Sequence, residues 1–394
     1  MQPEDLMLLT DFYEYTMAYA YFKENKHEEI AYFDMFVRTI PDGGGFLILN
    51  GLHRFIDFVQ NFHYTEAQID YLRQTGCFDE DFLHYLKTMT MDVDVWAIPE
   101  GTPVFANEPL VTIRGTLIQA QILETILLLC INYPTLTTTK AYRIVRASKG
   151  RAVLEFGTRR AHGYDAAAEG ARGAYIAGCA GSACTIAGQK YAVPVSGTIA
   201  HSYVQLHDSE LEAFRSYARV SPDNCILLVD TYDTLHSGIP NAIKVAQEEL
   251  IPKGHRLKGI RIDSGDLAYL SKKARKMLDA AGLTDCKVVV SNSLDEFLID
   301  DLIMQDAKID TFGVGENMIT AKSTPVWGGV YKVVAHEKDG QIIPKIKISG
   351  NVEKLTNPGF KKIIRFYDKE NHQAIADLLA LRDEVIPEDE YVLF

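Results

Sequence analysis

Positive charge is in short supply in this chain of 394 residues. Its 40 lysine and arginine residues are outnumbered by 53 aspartate and glutamate residues, which gives a net charge of −13 at pH 7. Surfaces that bind nucleic acid are basic, because they must neutralise backbone phosphates. The composition therefore argues against nucleic acid as a partner, although a local basic pocket could still bind a small anionic substrate.

Paired cysteines are also missing. The six cysteines occur singly, without CxxC spacing, at Cys77, Cys130, Cys179, Cys184, Cys225 and Cys286. This scatter is typical of the reduced thiols of a cytoplasmic protein, and it argues against a disulfide framework or a zinc site. We therefore expect a cytoplasmic location and no metal site built from protein ligands alone.

No segment predicts insertion into a membrane. The stretch MQPEDLMLLTDFYEY carries acidic residues early and lacks the basic start of a signal peptide. The most apolar run, LIQAQILETILLLCINY, is interrupted by Gln119, Gln121 and Glu124. It is too short and too polar for a membrane span, so the sequence predicts a buried helix here.

The length of the chain suggests two domains, or one barrel with an appended domain. Residues 1–117 mix helical and strand patterns without regular alternation, which indicates an α+β domain. Asp11 and Glu14 have the spacing of a capping box and predict a helix that runs to about Asn25. A hairpin with an Asp-Gly turn, in the final residues 327–394, is expected to return to this N-terminal domain.

Short apolar strands alternate with amphipathic helical patterns between residues 118 and 326. This alternation is typical of a parallel sheet covered by helices. The predicted strands are residues 152–156, 191–197, 225–230, 258–263, 287–292 and 309–315. Six such units in succession favour a (β/α) barrel over an open sheet. The expected fold class is therefore α/β, with a barrel-like domain of parallel strands joined to the N-terminal α+β domain.

Functional residue types gather at the carboxyl end of each predicted strand, either in its last residues or just after them. In parallel α/β folds, ligands bind at the carboxyl ends of the strands, which meet at one rim. The residues concerned are Glu155, Phe156, Arg159, Arg160, Thr198, His201, Asp230, Asp233, Arg261, Asp263, Asp266, Ser291, Asn292, Gly313 and Gly315. A purely structural protein has no reason to gather so much charge at one rim, so the pattern predicts an active site.

The groups at this rim suggest particular ligands. The segment GVGENMITA follows a strand and precedes a helix, which is typical of a loop whose backbone N–H groups hold a phosphate. The carboxylates of LVDTYD and RIDSGD could hold Mg²⁺ through water or bond a sugar diol. Arg159 and Arg160, close to Phe156, suit an anionic aromatic ligand. On its residues alone, His201 is either a packed structural histidine or a reactive one.

Seven motifs, in order along the chain from residue 8 to about residue 333, resemble those of the nicotinate phosphoribosyltransferase family. They are LLTDFYEYTMAYAYF, EFGTRRAHG, GTIAHSYVQ, LVDTYDT, RIDSGDL, FGVGENMITA and GGVYKV. The resemblance implies an N-terminal α+β domain, an irregular α/β barrel and a homodimer with shared active sites. It also implies condensation of nicotinate with phosphoribosyl pyrophosphate to nicotinate mononucleotide, the entry step of NAD salvage. ATP hydrolysis would be coupled to this step, and Mg²⁺ would accompany the pyrophosphate.

The resemblance also implies roles for individual residues. His201 resembles the histidine that ATP phosphorylates, and Asp230 resembles the carboxylate that orients it. Thr198 and Arg261 match residues that contact substrate phosphates, and Asp263 matches a residue near the ribose.

The nicotinate side of the implied site is aromatic. Phe156 matches the ring beneath the pyridine, and Tyr13, acting across the dimer, matches the ring on its other face. Arg159 matches the guanidinium on the nicotinate side. These three residues are expected to bind nicotinate.

The remaining implied residues lie in two loops. Gly313 and Gly315 belong to the loop that holds the nucleotide phosphate, and Asp266 is one of the carboxylates expected to bind substrate. Glu316 departs from the pattern, because several relatives have a small hydroxyl residue there. A role for that position in phosphate binding is therefore not assigned.

Three other functions compete with this interpretation. Nicotinamide phosphoribosyltransferases use an acidic residue in the segment that corresponds to residues 178–190, GCAGSACTIAGQK, which has no Asp or Glu. Quinolinate phosphoribosyltransferases need more basic residues for a second carboxylate. A non-catalytic nucleotide sensor would need the phosphate site but would have no use for His201, Asp230 and Arg261 together. The sequence therefore favours nicotinate as the substrate.

Overall fold

The computed structural model describes residues 3–348, 350 and 354–386, and the chain divides into two compact units. The first unit combines Met1–Thr135 with Val326–Phe394, and the second is Leu136–Pro325. The first boundary between the units, after Thr135, lies inside a long helix, whereas the sequence placed the boundary after residue 117. The second division coincides with the end of the strand-and-helix region.

The N-terminal part of the first unit mixes helices with short strands. In chain order it contains α1 (Phe12–Lys23), β1 (Ile30–Val37), β2 (Leu47–Ile48), α2 (Leu52–Gln60), α3 (Glu66–Gln74), α4 (Glu80–Thr88), β3 (Asp94–Ala97), β4 (Pro103–Val104), β5 (Val111–Thr116), α5 (Leu117–Ile122) and α6 (Glu124–Ala147). The non-alternating α+β pattern predicted for this part is what the structure has.

The predicted capping box at the start of α1 is wrong. Asp11 is the N-cap residue, but its side chain accepts no capping hydrogen bond. Glu14 points into the unit instead, where its Oε1 accepts hydrogen bonds from the backbone N (3.1 Å) and Oγ1 (2.5 Å) of Thr125. The Glu14 carboxylate therefore bonds Thr125 on α6 and does not cap the start of α1, although the local pattern predicted that it would.

The apolar run at residues 117–133 lies in α5 and α6. By length and composition, Leu117–Ala147 would suffice to cross a membrane, so the run is not excluded as a span on those grounds. However, 67 % of its apolar window is buried inside the protein, as expected of a core helix. The prediction of a buried helix is confirmed.

The second unit alternates strands and helices. In chain order it contains β6 (Ala152–Glu155), α7 (Tyr164–Ile176), β7 (Gly181–Ser182), α8 (Thr185–Tyr191), α9 (His201–Gln205), α10 (Glu210–Val220), β8 (Ile226–Leu228), α11 (Ile239–Val245), β9 (Gly259–Ile262), α12 (Leu267–Ala280), β10 (Lys287–Ser291), α13 (Glu296–Met304), β11 (Thr311–Val314) and α14 (Glu316–Ile319). A short 3₁₀ helix, Thr158–Arg160, follows β6.

All six strands of this unit are parallel, in the order β7-β6-β11-β10-β9-β8. Their residues are almost all buried, because helices cover the sheet. In the described residues no ladder joins β7 to β8, so hydrogen bonds do not close the sheet into a complete barrel. The predicted α/β class with parallel strands is confirmed.

One of the six predicted strands is wrong. Residues 191–197 are not a strand, because α8 extends to Tyr191 and ends at Ala192, whose φ of 55° is left-handed. Beyond it, Val195 makes a single parallel bridge to Ser182. Pro194 lacks the N–H that a ladder needs, so the apolar run cannot continue as a regular strand. The strand at this place in the sheet is β7.

The chain then returns to the first unit as β12 (Gly329–Lys338), β13 (Gln341–Pro344), β14 (Lys361–Tyr367) and β15 (Ala374–Leu381). Asp339 and Gly340 join β12 to β13 with positive φ values of 52° and 76°, as a tight hairpin turn requires. The hairpin is therefore confirmed. β12 pairs with β1 in an antiparallel sheet of five strands, whose order is β13-β12-β1-β5-β3.

Candidate active site

The carboxyl ends of the strands in the second unit form a polar edge, which we call the carboxyl edge. Phe156 follows β6, Asp230 follows β8 by two residues, Asp263 follows β9, and Gly315 follows β11. Since the strands are parallel, their carboxyl ends lie at the same edge of the sheet. The structure thus brings together most of the residues that the sequence placed at the rim.

Arg261 is the centre of this edge. Its Nε donates to Ser291 Oγ at 2.9 Å, its Nη1 to Thr198 Oγ1 at 3.3 Å and its Nη2 to Asp263 Oδ1 at 3.1 Å. The guanidinium carbon also lies 5.6 Å from the centre of the Phe156 ring. A cation held in this way has a fixed position, and a single contacting carboxylate leaves it able to attract an anionic ligand.

His201 is the first residue of α9, and its side chain is 40 % exposed, so it is not a fully packed core histidine. Its Nδ1 lies 3.1 Å from Thr231 Oγ1, which is within hydrogen-bonding distance. Its Nε2 faces two carboxylates, Asp230 Oδ1 at 4.0 Å and Asp263 Oδ2 at 3.9 Å. These two distances are too long for hydrogen bonds but allow charge attraction.

Asp230 is held rigidly, and one of its oxygens has no partner. Oδ2 accepts hydrogen bonds from the Asp263 backbone N (2.8 Å) and Ser264 Oγ (2.6 Å). Oδ1, the atom nearest to His201, is buried and has no hydrogen-bond partner among the described residues. Buried carboxylate oxygens are normally satisfied, so this atom is available to a protonated imidazole or to a bound ligand.

Sequence reasoning did not identify Thr231 or Ser264 as part of the site. Both are hydroxyl residues that directly follow a predicted aspartate, within the motifs LVDTYDT and RIDSGDL. That adjacency was the only available signal. Strand alternation alone does not show which hydroxyl turns toward which neighbour.

Phe156 and Gly313 fit against each other. A Cβ atom on Gly313 would lie 2.5 Å from two carbons of the Phe156 ring, closer than any real contact. Gly313 is therefore required for the ring to occupy its place at the carboxyl edge. On Gly315, a Cβ atom would lie 3.2 Å from the Phe156 backbone O, so the backbones pass closely here as well.

Glu155 supports the turn that carries Phe156. It is fully buried, and its Oε1 accepts from the Gly157 backbone N while its Oε2 accepts from Ser182 Oγ at 2.5 Å. Burial raises the pKa of this carboxyl group. The geometry of the Phe156–Gly157 turn thus depends on a buried acid below it.

Arg159 and Arg160 lie on the 3₁₀ helix after Phe156 and are both exposed. Arg159 has no ion-pair partner among the described residues, whereas Arg160 Nε lies 3.9 Å from Glu316 Oε2. Lys322 donates to Glu316 at 2.7 Å and lowers the pKa of that carboxyl group. Glu316 is thus part of a surface ion network.

Two predicted residues make other contacts in the structure. Asp266 caps α12, and its Oδ1 accepts a hydrogen bond from the Tyr269 backbone N at 2.9 Å. Tyr13 belongs to α1 in the first unit and is 45 % exposed. Partial burial and the nearby negative charge of Glu124 raise the pKa of its hydroxyl group. Substrate contacts of both residues remain predictions.

Two family models match this chain, one in each of its two main regions. The family model described as nicotinate phosphoribosyltransferase (NAPRTase) N-terminal domain matches residues 8–132, and the one described as nicotinate phosphoribosyltransferase (NAPRTase) family matches residues 152–354. A nicotinate phosphoribosyltransferase of Bacillus subtilis (strain 168) is 46 % identical over 385 residues, which cover 97 % of this chain and 78 % of that protein.

Solved structures agree with the fold. The crystal structure of human nicotinic acid phosphoribosyltransferase superposes with a TM-score of 0.84 at 30 % identity, covering 96 % of this chain and 83 % of that one. A nicotinate-nucleotide pyrophosphorylase from Pyrococcus furiosus has a TM-score of 0.72 at 23 % identity over 96 % of this chain and 83 % of its own, and it shares the fold. The family models and the fold together define a phosphoribosyltransferase-type α/β protein. The chain belongs to the nicotinate phosphoribosyltransferase family.

Proposed function

We propose that this chain transfers the phosphoribosyl group of phosphoribosyl pyrophosphate to nicotinate, and that it couples this step to ATP through a phosphorylated His201. The products would be nicotinate mononucleotide and pyrophosphate, for NAD synthesis in the cytoplasm. Membership of the family supports nicotinate phosphoribosyl transfer. The observation that carries the proposal at atomic level is the Arg261 network, a fixed cation between two hydroxyls, a carboxylate and an aromatic ring.

The transfer step needs charge stabilisation more than proton transfer. When pyrophosphate leaves C1 of the ribose, positive charge develops on the sugar and negative charge on the leaving group. Arg261 is already oriented by Ser291 and Thr198, so it can stabilise the leaving group without reorganisation. Asp263, beside it, is placed to bond ribose hydroxyls.

The acceptor is nicotinate, whose ring nitrogen is nucleophilic without a general base. Positioning the ring in line with C1 therefore supplies much of the barrier reduction. We propose that Phe156 stacks on one face of the nicotinate ring and that Arg159 pairs with the nicotinate carboxylate. Arg159 is exposed and has no competing ion pair among the described residues. Tyr13 would cover the other face across a homodimer.

The proposed ATP coupling depends on the tautomer of His201. Two carboxylates face Nε2, which favours a proton on that nitrogen. Nδ1 then keeps its lone pair and accepts a hydrogen bond from Thr231. We propose that this nitrogen attacks the γ-phosphorus of ATP, so that the N–P bond forms as the bond to the leaving ADP breaks, and that hydrolysis later releases inorganic phosphate and restores His201. A phosphate on His201 would place a dianion at the carboxyl edge and alter the contacts of Asp230 and Asp263.

Mg²⁺ fits this edge because its preferred ligands are oxygens. We propose that Asp230 and Asp263 would hold the ion through water, together with the substrate pyrophosphate, while their oxygens nearest to His201 continue to face its Nε2. Among the described residues there is no group of three or more His, Cys, Asp or Glu side chains that could hold a metal without such help. When bound, the ion supplies neutralising charge to the pyrophosphate.

A turnover assay tests the proposed function. The chain is incubated with phosphoribosyl pyrophosphate and nicotinate, nicotinamide or quinolinate, each with and without ATP. We expect nicotinate to be preferred over nicotinamide by about 10² or more in kcat/KM, because nicotinamide lacks the charge that Arg159 would pair with. Similar turnover of nicotinamide, or no turnover with any of the three, would contradict the proposal.

A further inference from the structure

A buried lysine lies between two loops of the second unit. Lys140, on α6, has a side chain that is only 3 % exposed. Its Nζ donates to Glu296 Oε1 at 2.6 Å and to Ser323 Oγ at 2.8 Å. Glu296 is the first residue of α13, at the end of the loop after β10, and Ser323 lies in the segment after β11 and α14. One ammonium group therefore holds both loops.

Two further hydrogen bonds join the loop after β10 to α14, which precedes the Ser323 segment. Asn317, on α14, donates through Nδ2 to the backbone O of Ser293 (2.9 Å) and of Leu294 (3.1 Å). The loop after β10 thus receives support from α14 on one side and from Lys140 on the other.

The loop after β10 needs such support because its backbone is strained. Asn292 and Ser293 have φ values of 98° and 49°, in the left-handed region that residues with a side chain rarely adopt. Such backbone conformations are unfavourable and persist only where surrounding contacts enforce them. The strained pair directly follows Ser291, which donates to Asp263 and accepts from Arg261.

We propose that Lys140 is a positioning residue: through Glu296 and Ser323 it fixes the loops after β10 and β11, and thereby the affinity for phosphoribosyl pyrophosphate. Lys140 itself would not touch substrate. The effect acts on the phosphate side of the carboxyl edge, where Ser291 orients Arg261, and not on the nicotinate side, where Phe156 packs against Gly313. This inference rests on the proposed function, since that function supplies the phosphorylated ligand.

The test uses a neutral double variant, because removing Lys140 alone would leave an unpaired buried carboxylate and could prevent folding. Lys140→Met/Glu296→Gln removes both charges and keeps the side-chain lengths. The matched control is Lys361→Met/Asp34→Asn in the first unit, where Lys361 and Asp34 form a buried pair at 2.7 Å with side chains 4 % and 3 % exposed. Neither control residue belongs to the proposed site.

Two measurements are made on both variants. Calorimetric titration gives the Kd for phosphoribosyl pyrophosphate and for nicotinate, and hydrogen exchange gives the protection of residues 292–295 and 315–325. We expect the Lys140 variant to bind phosphoribosyl pyrophosphate at least ~10-fold more weakly, with nicotinate affected less than ~2-fold. Exchange in the two loops should be faster, while β9 and β10 stay protected. The control variant should keep both affinities and the loop protection.

The outcomes separate this inference from the proposed function. Unchanged affinity and loop exchange in the Lys140 variant would overturn the positioning role, and so would an equal loss in the control or an equal loss for both ligands. If the unchanged chain binds phosphoribosyl pyrophosphate but makes no nicotinate mononucleotide, the proposed reaction fails while the positioning role is still decided by these measurements. If it binds no phosphoribosyl pyrophosphate, both fail.

Discussion

His201 Nε2 lies 4.0 Å from Asp230 Oδ1, and that oxygen is buried without a hydrogen-bond partner among the described residues. The relationship is asymmetric, because the other oxygen of Asp230 is held by the Asp263 backbone and by Ser264. The Asp230 side chain therefore cannot rotate freely. A change in the charge of His201 acts on a carboxylate whose position is fixed. This pair is the basis of the first prediction.

Incubation with γ-labelled ATP should place an acid-labile, base-stable label on the chain. His201→Ala should abolish the label and the stimulation by ATP, yet leave slow ATP-independent product, because the sites for the two other substrates are intact. Asp230→Asn should reduce labelling strongly, since an amide no longer favours the required tautomer. Liquid scintillation counting of the separated protein measures the label.

A packed structural histidine predicts a different pattern. His201→Ala would then lower thermal stability and affect all substrates alike. A label that persists in His201→Ala, or that never forms on the unchanged chain, would decide for that interpretation.

Gly313→Ala should impair binding of nicotinate. The added Cβ would lie 2.5 Å from the Phe156 ring, so the ring must shift at a cost of about 1–3 kcal/mol in stability. We expect a several-fold higher KM for nicotinate and a lower melting temperature. The control is Gly45→Ala, where a Cβ meets nothing within 4 Å and should change neither quantity. An unchanged KM in Gly313→Ala would show that the ring does not contact nicotinate.

Tyr13→Ala should raise the KM for nicotinate several-fold and spare phosphoribosyl pyrophosphate, because aromatic stacking contributes about 0.5–1.5 kcal/mol. Tyr13→Phe keeps the ring and loses only the hydroxyl group near Glu124, so it should behave almost like the unchanged chain. Steady-state kinetics with each substrate varied in turn measures both effects.

Mixed dimers test whether Tyr13 acts across subunits. Chains carrying Tyr13→Ala, combined with inactive Arg261→Ala chains, should regain part of the activity if each site takes residues from both chains. Mixed dimers that form, as shown by differently tagged chains, but regain nothing would rule out a shared site.

Glu14→Gln should stabilise the protein at alkaline pH only. Burial, followed by the neighbouring Glu124 charge, raises the pKa of Glu14 from its ordinary 4.5 to about 8. An acid with a raised pKa in the folded state contributes stability that is fully present below about pH 4.5 and is lost as the pH rises toward 8. Glutamine mimics the protonated acid, so the variant avoids this loss.

Melting temperatures at pH 5 and pH 9 measure the effect. The variant and the unchanged chain should melt at nearly the same temperature at pH 5. At pH 9 the variant should melt at a higher temperature. The difference in free energy of unfolding should be about 1.4 kcal/mol for each unit by which the pKa of Glu14 differs between the folded and unfolded states. Equal melting temperatures at both values would mean that Glu14 keeps its ordinary pKa.

Much of the second unit could be predicted from the sequence. Near-continuous apolar runs such as KVVVS, bounded by turn residues and followed by amphipathic segments, predict buried parallel strands, because only a sheet covered on both faces suits them. Once the strands are parallel, Phe156, Asp230, Arg261 and Gly313 must lie near one edge. The sequence by itself therefore determined the class of the fold and where its polar residues gather.

Tertiary structure decided the details that local patterns misjudged. The run at residues 191–197 is apolar enough for a strand, but Pro194 and the left-handed Ala192 prevent one. Glu14 has the spacing of a helix cap, yet it bonds Thr125, which lies 111 residues away. In the first case a backbone constraint within the run outweighed its apolar pattern, and in the second case a partner distant in sequence outweighed the capping pattern.

The partners within the site were equally out of reach of the sequence. Which hydroxyls orient Arg261, that Thr231 bonds His201, and that Lys140 meets Glu296 across 156 residues all depend on how separate elements pack. Hydrophobic periodicity reports which face of an element is buried, and it carries no information on the partner of a polar group. A polar side chain finds its partner only when the chain is folded, because hydrogen bonds are short and directional.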